Sequence, residues 1–285
     1  MKMALIGVGL IGGSFARAAK RAGKFDRIIG FDVQSEALRR ALELGVIDDI
    51  ALSAAHAVAN ADLVMIATPI GSIRDVLSEI AAHLSDTAII TDVASAKASV
   101  IETASEQLGV AFSRFVPGHP IAGSEHSGVE RSDAMLFRGN TCVTTPVVQT
   151  GSDALEGIES LWRDVGCVVK RMTPQEHDRV FAAVSHLPHL IAFALVANIA
   201  SQSDADRKFE MAGPGFRDFT RIARSSASLW SDICVSNRAA IGDQLRGNRR
   251  LLEELQRALD EGDAETLRRV FQQAGVALDR RVNAE

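Results

Sequence analysis

The sequence predicts an α/β domain followed by an all-α domain, and two features of the chain carry this prediction. Residues 1–171 alternate short β-rich runs with longer helical patterns, which is typical of a parallel sheet covered by helices. After Met172 the β-rich runs cease, and apolar residues recur at helical spacing. A length of 285 residues is typical of two domains, so we expect one domain over residues 1–171 and another over residues 172–285.

Strands and helices are expected to alternate along the first domain. The β-rich runs are short and separated by glycine or polar turns, which favours strands over helices. The predicted strands are residues 3–6, 27–31, 63–67, 88–91, 114–116, 141–145 and 167–170, and the helical patterns between them include residues 14–22, 35–44, 73–82 and 98–108.

The second domain is predicted to begin with a capped helix. Thr173, Pro174 and Glu176 form a capping box with proline in the first turn. An apolar helix should follow to Ala200, with a kink at Pro188, which lacks a backbone donor. A Gly-Pro-Gly break at residues 213–215 precedes further helices. The longest apolar stretch, residues 190–200, is shorter than the roughly 20 residues that span a bilayer, so no membrane segment is predicted.

A glycine motif, GVGLIG at residues 7–12, follows the first strand and precedes the first helix. Gly7 allows a tight turn, Gly9 lets the backbone approach a pyrophosphate, and Gly12 allows close packing of helix and strand. The helix N-terminus then faces the phosphate charge. A glycine-rich turn without a nucleotide is the alternative. The expected cofactor contacts in this loop are Gly7, Gly9, Leu10, Ile11 and Gly12.

Four further residues extend the predicted cofactor site. Asp32 lies twenty residues after Gly12, where a carboxylate accepts hydrogen bonds from ribose hydroxyls. It would repel a 2′-phosphate by roughly 1–4 kcal/mol at contact distance, which favours NAD over NADP. Thr68 and Pro69, and also Asp92, follow strands at the edge where an open parallel sheet binds ligands. Turn chemistry and helix capping are the alternatives for these positions.

His119 is the candidate acid–base residue among the seven histidines. Imidazole suits the removal of a hydroxyl proton at neutral pH, and His119 lies in a turn bracketed by glycine and proline. The remaining histidines without a supporting motif are expected to serve in packing or on the surface: His56, His83, His126 and His177.

Two clusters in the second half of the chain could bind a ligand. The spacing of His186 and His189 allows a metal pair, but Pro188 lies between them and no third ligand is evident, so anchoring of substrate is the preferred interpretation and no metal is predicted. Arg217, Arg221 and Arg224 form either a solvated helix face or a carboxylate clamp.

Composition restricts the class of protein. A formal net charge of −5 argues against binding to nucleic acid or to an anionic membrane. Three cysteines without a CxxC pair predict neither disulfides nor zinc and fit a reducing cytoplasm. The apolar N-terminus is interrupted by glycines, which indicates a strand and a turn rather than a secretory signal. The chain has no tyrosine, so no phenol can serve as an acid or base.

Taken together, the motifs resemble the prephenate dehydrogenase family, which includes arogenate and cyclohexadienyl dehydrogenases. The matching stretches are GVGLIGGS at residues 7–14, TDVASAK at 91–97, GHPIAGSEHSGVE at 118–130, HDRVFAAVSHLPH at 177–189 and DFTRIARSSASLW at 218–230. The resemblance implies a nicotinamide-binding Rossmann domain, a helical domain that forms a homodimer, and an active site between them. It implies oxidative decarboxylation of prephenate to 4-hydroxyphenylpyruvate, or of arogenate to tyrosine.

By the same resemblance, His119 assists deprotonation of the substrate hydroxyl, Ser95 orients that hydroxyl, and Arg221 binds a substrate carboxylate. Pro214 departs from the family, whose members often have glycine there. The positions that match residues lining or gating the substrate pocket are Ser124, Glu125, His189 and Trp230.

Two other classes of function stay open at this point. A dehydrogenase of hydroxy acids or imines would rely on a lysine in the helical domain, where residues 171–230 offer only Lys208, outside any motif. A regulator that senses NAD without chemistry would need no combination of histidine and arginine. A response to NAD alone, with no effect of prephenate, would favour such a regulator.

Overall fold

The computed structural model describes residues 1–123 and 127–282. Six strands form a parallel sheet in the order β3-β2-β1-β4-β5-β6. The chain order reverses between β1 and β4, and in open parallel sheets this is where ligands bind. The strands are β1 (Lys2–Ile6), β2 (Arg27–Phe31), β3 (Asp49–Ile50), β4 (Leu63–Ile66), β5 (Ile89–Asp92) and β6 (Phe115–Val116).

Helices cover both faces of this sheet. Successive side chains of a strand point to opposite faces, and β1 divides accordingly: Met3 and Leu5 belong to one buried cluster, Ala4 and Ile6 to another. The predicted α/β domain with a parallel sheet is therefore confirmed. The covering helices include α1 (Leu10–Arg21), α2 (Ser35–Glu43), α3 (Ala54–Val58), α4 (Ile73–Ile80) and α5 (Ala98–Gln107).

A second, smaller sheet follows, and it departs from the expectation of a single parallel sheet. It contains β7 (Gly118–Pro120), β8 (Thr141–Thr144) and β9 (Val168–Arg171), with β7 antiparallel and β9 parallel to β8. Helix α6 (Ser152–Asp164) connects β8 to β9. The segment of His119 was expected to be a turn, because a strand of three residues between glycine and proline carries no periodic pattern. It forms β7 instead.

The predicted helical second half is confirmed. Thr173 caps the first helix through a 3.2 Å hydrogen bond from the Glu176 backbone N–H. A π-helical turn, Ala182–His186, directly precedes the helix that contains Pro188, and the kink expected at this proline stays a prediction. The helices are α7 (Pro174–Phe181), α8 (Leu187–Ala200), α9 (Ala205–Glu210), α10 (Pro214–Thr220) and α11 (Ala227–Ser236), with a 3₁₀ turn at Arg221–Arg224.

Residues Met1–Arg238 form one compact unit, and residues Ala239–Glu285 a second. The second unit contains two helices: α12 (Arg238–Glu261), whose first residue belongs to the first unit, and α13 (Ala264–Val282). An ion pair of 2.5 Å between Arg269 and Glu254 joins the two helices. Many of its large apolar side chains are exposed, among them Leu252, Leu259 and Phe271. The domain boundary at residues 171–172 stays a prediction.

One helical stretch of the described residues, Pro174–Ala200, is long and apolar enough to cross a membrane by length and composition. It exceeds the predicted apolar run because α7, the π-helical turn and α8 are continuous. Core helices of soluble proteins pass the same test, so a single stretch of this kind is weak support for a membrane span. His177, Asp178 and His186 are buried on it and hydrogen-bonded within the first unit.

Candidate active site

The glycine loop at residues 7–12 has the shape that the motif predicts. Gly7 has φ +93°, and a Cβ there would lie 2.6 Å from the Ala67 carbonyl carbon, so only glycine fits. A Cβ on Gly12 would meet the Gly7 carbonyl oxygen. At Gly9, in contrast, a Cβ would meet nothing within 4 Å, so this part of the loop faces open space.

Asp32 directly follows β2 and lies beside this loop. Its Oδ2 accepts a 2.8 Å hydrogen bond from the Val8 N–H, and its Oδ1 accepts one of 2.9 Å from the Gln34 N–H. The carboxylate therefore fixes the glycine loop to the end of β2. The structure therefore brings Asp32 to the glycine loop, as the sequence predicted.

The described residues around the loop fit a dinucleotide. Thr68, which precedes Pro69 at the end of β4, has a buried hydroxyl oxygen with no hydrogen-bond partner among the described residues. Its backbone nitrogen would lie 2.8 Å from a Cβ on Gly7, so Thr68 lies beside the glycine loop. Leu10 and Ile11 open α1, where first-turn N–H groups have no intrahelical partner and attract phosphate.

Asp92 does not face open space as a cofactor ligand would. Its side chain is fully buried and forms an ion pair with the equally buried Lys97. Its oxygens also accept hydrogen bonds from the Ala94 N–H at 2.9 Å and the Gly118 N–H at 3.2 Å. Lys97 donates in addition to the Gly118 carbonyl at 2.7 Å. This ion pair joins the loop after β5 to β7. The sequence motif alone could not distinguish such a structural role of Asp92 from a contact with a cofactor.

His119 lies on β7, opposite Val143 of β8, and is buried. Its Nδ1 is 2.8 Å from Nε2 of His177 on α7, and His177 Nδ1 is 2.8 Å from Asp178 Oδ1. The Phe181 ring packs edge-on against His119 and tilted against His177, with centroid distances of 4.8 Å and 4.5 Å. The three polar side chains form a continuous chain of hydrogen bonds.

Backbone groups hold Asp178 at the end of this chain. Its Oδ1 and Oδ2 accept hydrogen bonds from the N–H groups of Lys97 at 2.8 Å and Ala98 at 2.9 Å. Burial raises the pKa of Asp178, but the hydrogen bonds from His177, Lys97 and Ala98 together lower it by more. The resulting pKa therefore lies below the ordinary value of an aspartate. Asp178 is therefore a carboxylate at neutral pH.

Both imidazoles are neutral at neutral pH. Burial lowers the pKa of His119 well below its ordinary value, and the charge of Lys97 and the charges that His177 and His186 carry when protonated lower it as well. Burial also lowers the pKa of His177, although the hydrogen bond to Asp178 counteracts part of this effect. A buried neutral imidazole at the ligand-binding edge of the sheet can accept a proton from a substrate hydroxyl.

His186 is also buried, and Asn237 fixes its orientation. The Asn237 side-chain amide donates to the Asp178 carbonyl at 2.8 Å and contacts His186 Nδ1 at 3.1 Å. Burial lowers the pKa of His186 to about 4, although the Ser95 backbone counteracts part of the shift. His186 Nδ1 therefore accepts and Nε2 carries the proton; Nε2 is buried and makes no hydrogen bond to a described residue. Ser95 itself is half-buried on the loop after β5.

His189, Trp230 and Arg221 come together from three elements. The His189 and Trp230 rings stack with centroids 3.6 Å apart, and His189 Nδ1 donates to the Ser185 carbonyl at 2.9 Å. Burial lowers the pKa of His189, and the charge of Arg221 lowers it as well. Trp230 also presents an edge to His186 at 6.1 Å, which connects this group to the buried histidines.

The remaining predicted positions can be placed only in part. Ser124 and Glu125, with His126, lie outside the described residues. In the part of the chain that is described, no group of three or more His, Cys, Asp or Glu is arranged to hold a metal ion. The cysteines Cys142, Cys167 and Cys234 are free thiols.

Sequence reasoning missed the residues behind His119. His177 was expected to serve in packing or on the surface. It is buried, and it also contacts His119 from 58 positions away. Lys97, Asp178 and Asn237 drew no prediction. A usable signal was present: the capping box at Thr173 begins α7, which places His177 and Asp178 near its N-terminus.

Two family models match the chain. One describes the nucleotide-binding domain of prephenate dehydrogenase and covers residues 15–171; the other describes the dimerization domain of prephenate dehydrogenase and covers residues 173–273. Among curated relatives, a prephenate dehydrogenase of Bacillus subtilis is 38% identical over 272 residues, which are 95% of this chain and 73% of the relative. A cyclohexadienyl dehydrogenase of Zymomonas mobilis is 37% identical over 246 residues, 84% of this chain and 82% of the relative.

Solved structures give the same result. Prephenate dehydrogenase of Aquifex aeolicus, in complex with hydroxyphenyl propionate and NAD⁺, superposes with a TM-score of 0.89 at 35% identity and covers 100% of this chain and 98% of that one. The arogenate dehydrogenase of Synechocystis superposes with a TM-score of 0.81 at 30% identity, covering 99% and 100%.

Proposed function

This chain belongs to the prephenate dehydrogenase family, and we propose that it oxidatively decarboxylates prephenate, or arogenate, with NAD as the oxidant. The observation that carries the proposal is His119, a buried neutral imidazole on β7. Lys97 and Asp92 connect β7 to the loop after β5, at the edge of the sheet where the glycine loop also lies. A base and a dinucleotide loop at one edge are what the oxidation of a hydroxyl requires.

The overall reaction neither releases nor takes up a proton. The substrate loses a hydride from ring C4 and carbon dioxide from ring C1, and the electron pair left by the carboxylate makes the ring aromatic. NAD, held by the glycine loop and Asp32, would supply the acceptor for this hydride. His119 accepts the hydroxyl proton while the C–O bond gains double-bond character, and returns it to the same oxygen when that oxygen becomes a phenol. A neutral imidazole suits both transfers.

The glycine loop and Asp32 would hold the cofactor. Open space at Gly9 and the unpaired Thr68 hydroxyl support a dinucleotide in this place. The Asp32 carboxylate would accept hydrogen bonds from ribose hydroxyls and repel a 2′-phosphate by roughly 1–4 kcal/mol at contact distance, which supports NAD over NADP.

Arg221, with His189 and Trp230, would bind the organic acid. A guanidinium pairs with carboxylates in bidentate geometry, and the effect of Arg221 on the pKa of His189 supports its closeness to the aromatic stack. Ser95 would orient the substrate hydroxyl beside His119. Lys208, the residue on which a hydroxy-acid or imine dehydrogenase would depend, instead pairs with Asp204 on exposed α9 at 2.7 Å, which disfavours that alternative.

A homodimer in the cytoplasm completes the proposal. Residues 173–273 match a dimerization domain, and α8 is apolar except for His189 and Asn198, although only its residues Leu187 and Ala192 are buried within the chain. A helix of this kind needs a further apolar cover. Free thiols are compatible with a reducing compartment. Sedimentation at micromolar concentration should give a dimer, and a monomer would overturn this part.

Parallel kinetics test the function. Prephenate and arogenate are each supplied with NAD and with NADP, and the absorbance of reduced nicotinamide is followed. We expect turnover with one or both substrates and a higher kcat/KM with NAD. Absence of turnover with both substrates would overturn the proposal, and stabilisation by NAD without any effect of prephenate would favour a regulator.

A further inference from the structure

The hydrogen-bond chain behind His119 has a direction that the positions of its atoms determine. Asp178 is the terminal acceptor, because its two oxygens receive N–H groups from Lys97 and Ala98 as well as the contact from His177. A carboxylate has no proton to donate. His177 must therefore carry its proton on Nδ1.

The donors and acceptors in the rest of the hydrogen-bond chain follow from this first assignment. A neutral imidazole has one donor and one acceptor nitrogen, so Nε2 of His177 accepts. The nitrogen 2.8 Å away, Nδ1 of His119, is then the donor. This leaves Nε2 of His119 unprotonated. The tautomer of His119 is thus determined by a carboxylate that His119 does not touch.

We propose that His177 and Asp178 are positioning residues that hold His119 in the Nδ1–H tautomer and thereby present its Nε2 lone pair to the substrate hydroxyl. The inference rests on the proposed function for the identity of that hydroxyl, and it goes further by assigning roles to two residues that the sequence motifs do not explain. Phe181 assists, since its ring contacts both imidazoles and restricts their rotation.

The same geometry provides a place for the positive charge that the reaction creates. Proton uptake at Nε2 would make His119 a buried cation near Lys97, whose charge opposes protonation of His119. Transfer of the Nδ1 proton to His177 Nε2 breaks one N–H bond and forms another. It leaves His119 neutral and moves the charge to His177, 2.8 Å from the Asp178 carboxylate. The transfer reverses when the substrate oxygen takes its proton back.

The test compares two variants with a matched control. Asp178→Asn keeps the shape of the side chain. With its oxygen on the Ala98 N–H and its nitrogen toward His177, the amide donates to His177 Nδ1, which reverses the hydrogen-bond chain and should place the His119 proton on Nε2. His177→Gln keeps an acceptor for His119 but cannot take up a proton. Glu176→Gln makes the same carboxylate-to-amide change at an exposed position of α7 and serves as the control.

The first measurement needs no substrate. Nitrogen NMR of protein labelled in histidine distinguishes the two tautomers, and we expect Nδ1–H for His119 in the unaltered protein, in Glu176→Gln and in His177→Gln. The Nε2–H form is expected in Asp178→Asn. An Nε2–H tautomer of His119 in the unaltered protein would overturn the proposal, whether or not the protein turns over prephenate.

The second measurement is the separation of kcat from KM. In serine proteases the corresponding change behind a catalytic histidine lowers kcat by about 10⁴-fold. We expect Asp178→Asn to lower kcat by about 10³–10⁴-fold and His177→Gln by about 10–100-fold, with KM changed less than about threefold in each. Equal losses in kcat and affinity, or unaltered kcat in Asp178→Asn, would contradict a positioning role.

Folding is checked independently, because Asp178 also accepts two backbone N–H groups. Each variant must unfold at the temperature of Glu176→Gln within a few degrees and bind NAD as that control does. If Asp178→Asn fails this check, the tautomer in the unaltered protein and the kcat of His177→Gln still decide the proposal. Failure of the proposed function would show separately, as no turnover by the unaltered protein.

Discussion

The rings of His189 and Trp230 stack with their centroids 3.6 Å apart and their planes inclined by 17°. His189 is anchored from the other side by the Ser185 carbonyl at 2.9 Å, so the stack joins α8 to α11. Trp230 also meets His186, whose Nδ1 shares Asn237 with the backbone of Asp178. His189 and Trp230, two of the residues predicted to bind substrate, are therefore connected to His186 and through Asn237 to Asp178.

Replacement of Trp230 should weaken substrate binding more than catalysis. Trp230→Leu removes the aromatic face that holds His189, and loss of an aromatic pair worth about 0.5–1.5 kcal/mol corresponds to an increase in KM of roughly 2–12-fold. Trp230→Phe keeps an aromatic face and is the control, with a smaller increase. Steady-state kinetics with prephenate measure both. A lower kcat with unaltered KM would contradict this role.

Replacement of His119 should remove turnover but retain the cofactor. His119→Asn deletes the imidazole while the glycine loop and Asp32 stay intact, so NAD should bind as before. Loss of a general base lowers kcat by roughly 10²–10⁴-fold. Calorimetric titration with NAD and steady-state kinetics check the two parts. Near-normal turnover would show that His119 is not the base.

The parts of the site that the sequence predicts are those encoded locally. Three such parts are present in the structure: the glycine loop, Asp32 beside it and the capped start of α7. Each depends on residues near one another in sequence, so their spacing can be recognised in the chain. The partners of His119 depend on tertiary packing. His177 lies 58 positions away and is brought to His119 by the packing of α7 against β7, which no local pattern contains.

Asp92 shows the opposite difficulty. A carboxylate at the end of a parallel strand is compatible with a ligand contact, with a cap or with an ion pair, and these alternatives share one sequence pattern. Which of these three roles Asp92 has depends on whether the fold buries a cation beside its carboxylate. Lys97 is buried there and takes one oxygen of Asp92, while Gly118 takes the other. Burial of a lysine at this place is a property of the folded chain.

The glycines of the loop should respond differently to alanine. Gly9→Ala meets nothing within 4 Å and has φ −96°, so the free energy of unfolding should change by less than about 1 kcal/mol while NAD binds at least tenfold more weakly. Gly7→Ala is the contrast, because φ +93° and contact with Ala67 strain the fold itself. Denaturant unfolding and NAD titration measure the two effects. Unaltered NAD affinity in Gly9→Ala would exclude close approach of the cofactor at this position.

Glu159 should stabilise the second sheet without affecting catalysis. Its buried carboxylate accepts Thr144 Oγ1 at 3.0 Å and two nitrogens of Arg171 at 2.6 Å and 2.8 Å. The hydrogen bonds from Arg171 and Thr144 hold its pKa below the ordinary value despite burial. Glu159→Gln should lower the free energy of unfolding by about 1.5–3 kcal/mol, as expected for hydrogen bonds to a charged group, with kcat unaltered. Glu156→Gln on the same helix is the control; a kcat loss in Glu159→Gln alone would place Glu159 in the site.

His186 should make the fold less stable in mild acid. Its pKa is about 4 in the folded protein against an ordinary value of 6.5, so between these pH values the unfolded chain binds a proton that the folded chain does not. The free energy of unfolding should therefore fall as the pH drops from about 6.5 towards 4, by about 3 kcal/mol from this residue in total. His186→Asn keeps an acceptor for Asn237 and should flatten this part of the pH dependence, whereas His83→Asn at an exposed position should not. Urea unfolding across this pH range gives the slopes directly, and an equal slope in His186→Asn and the unaltered protein would show that His186 is not kept neutral by burial.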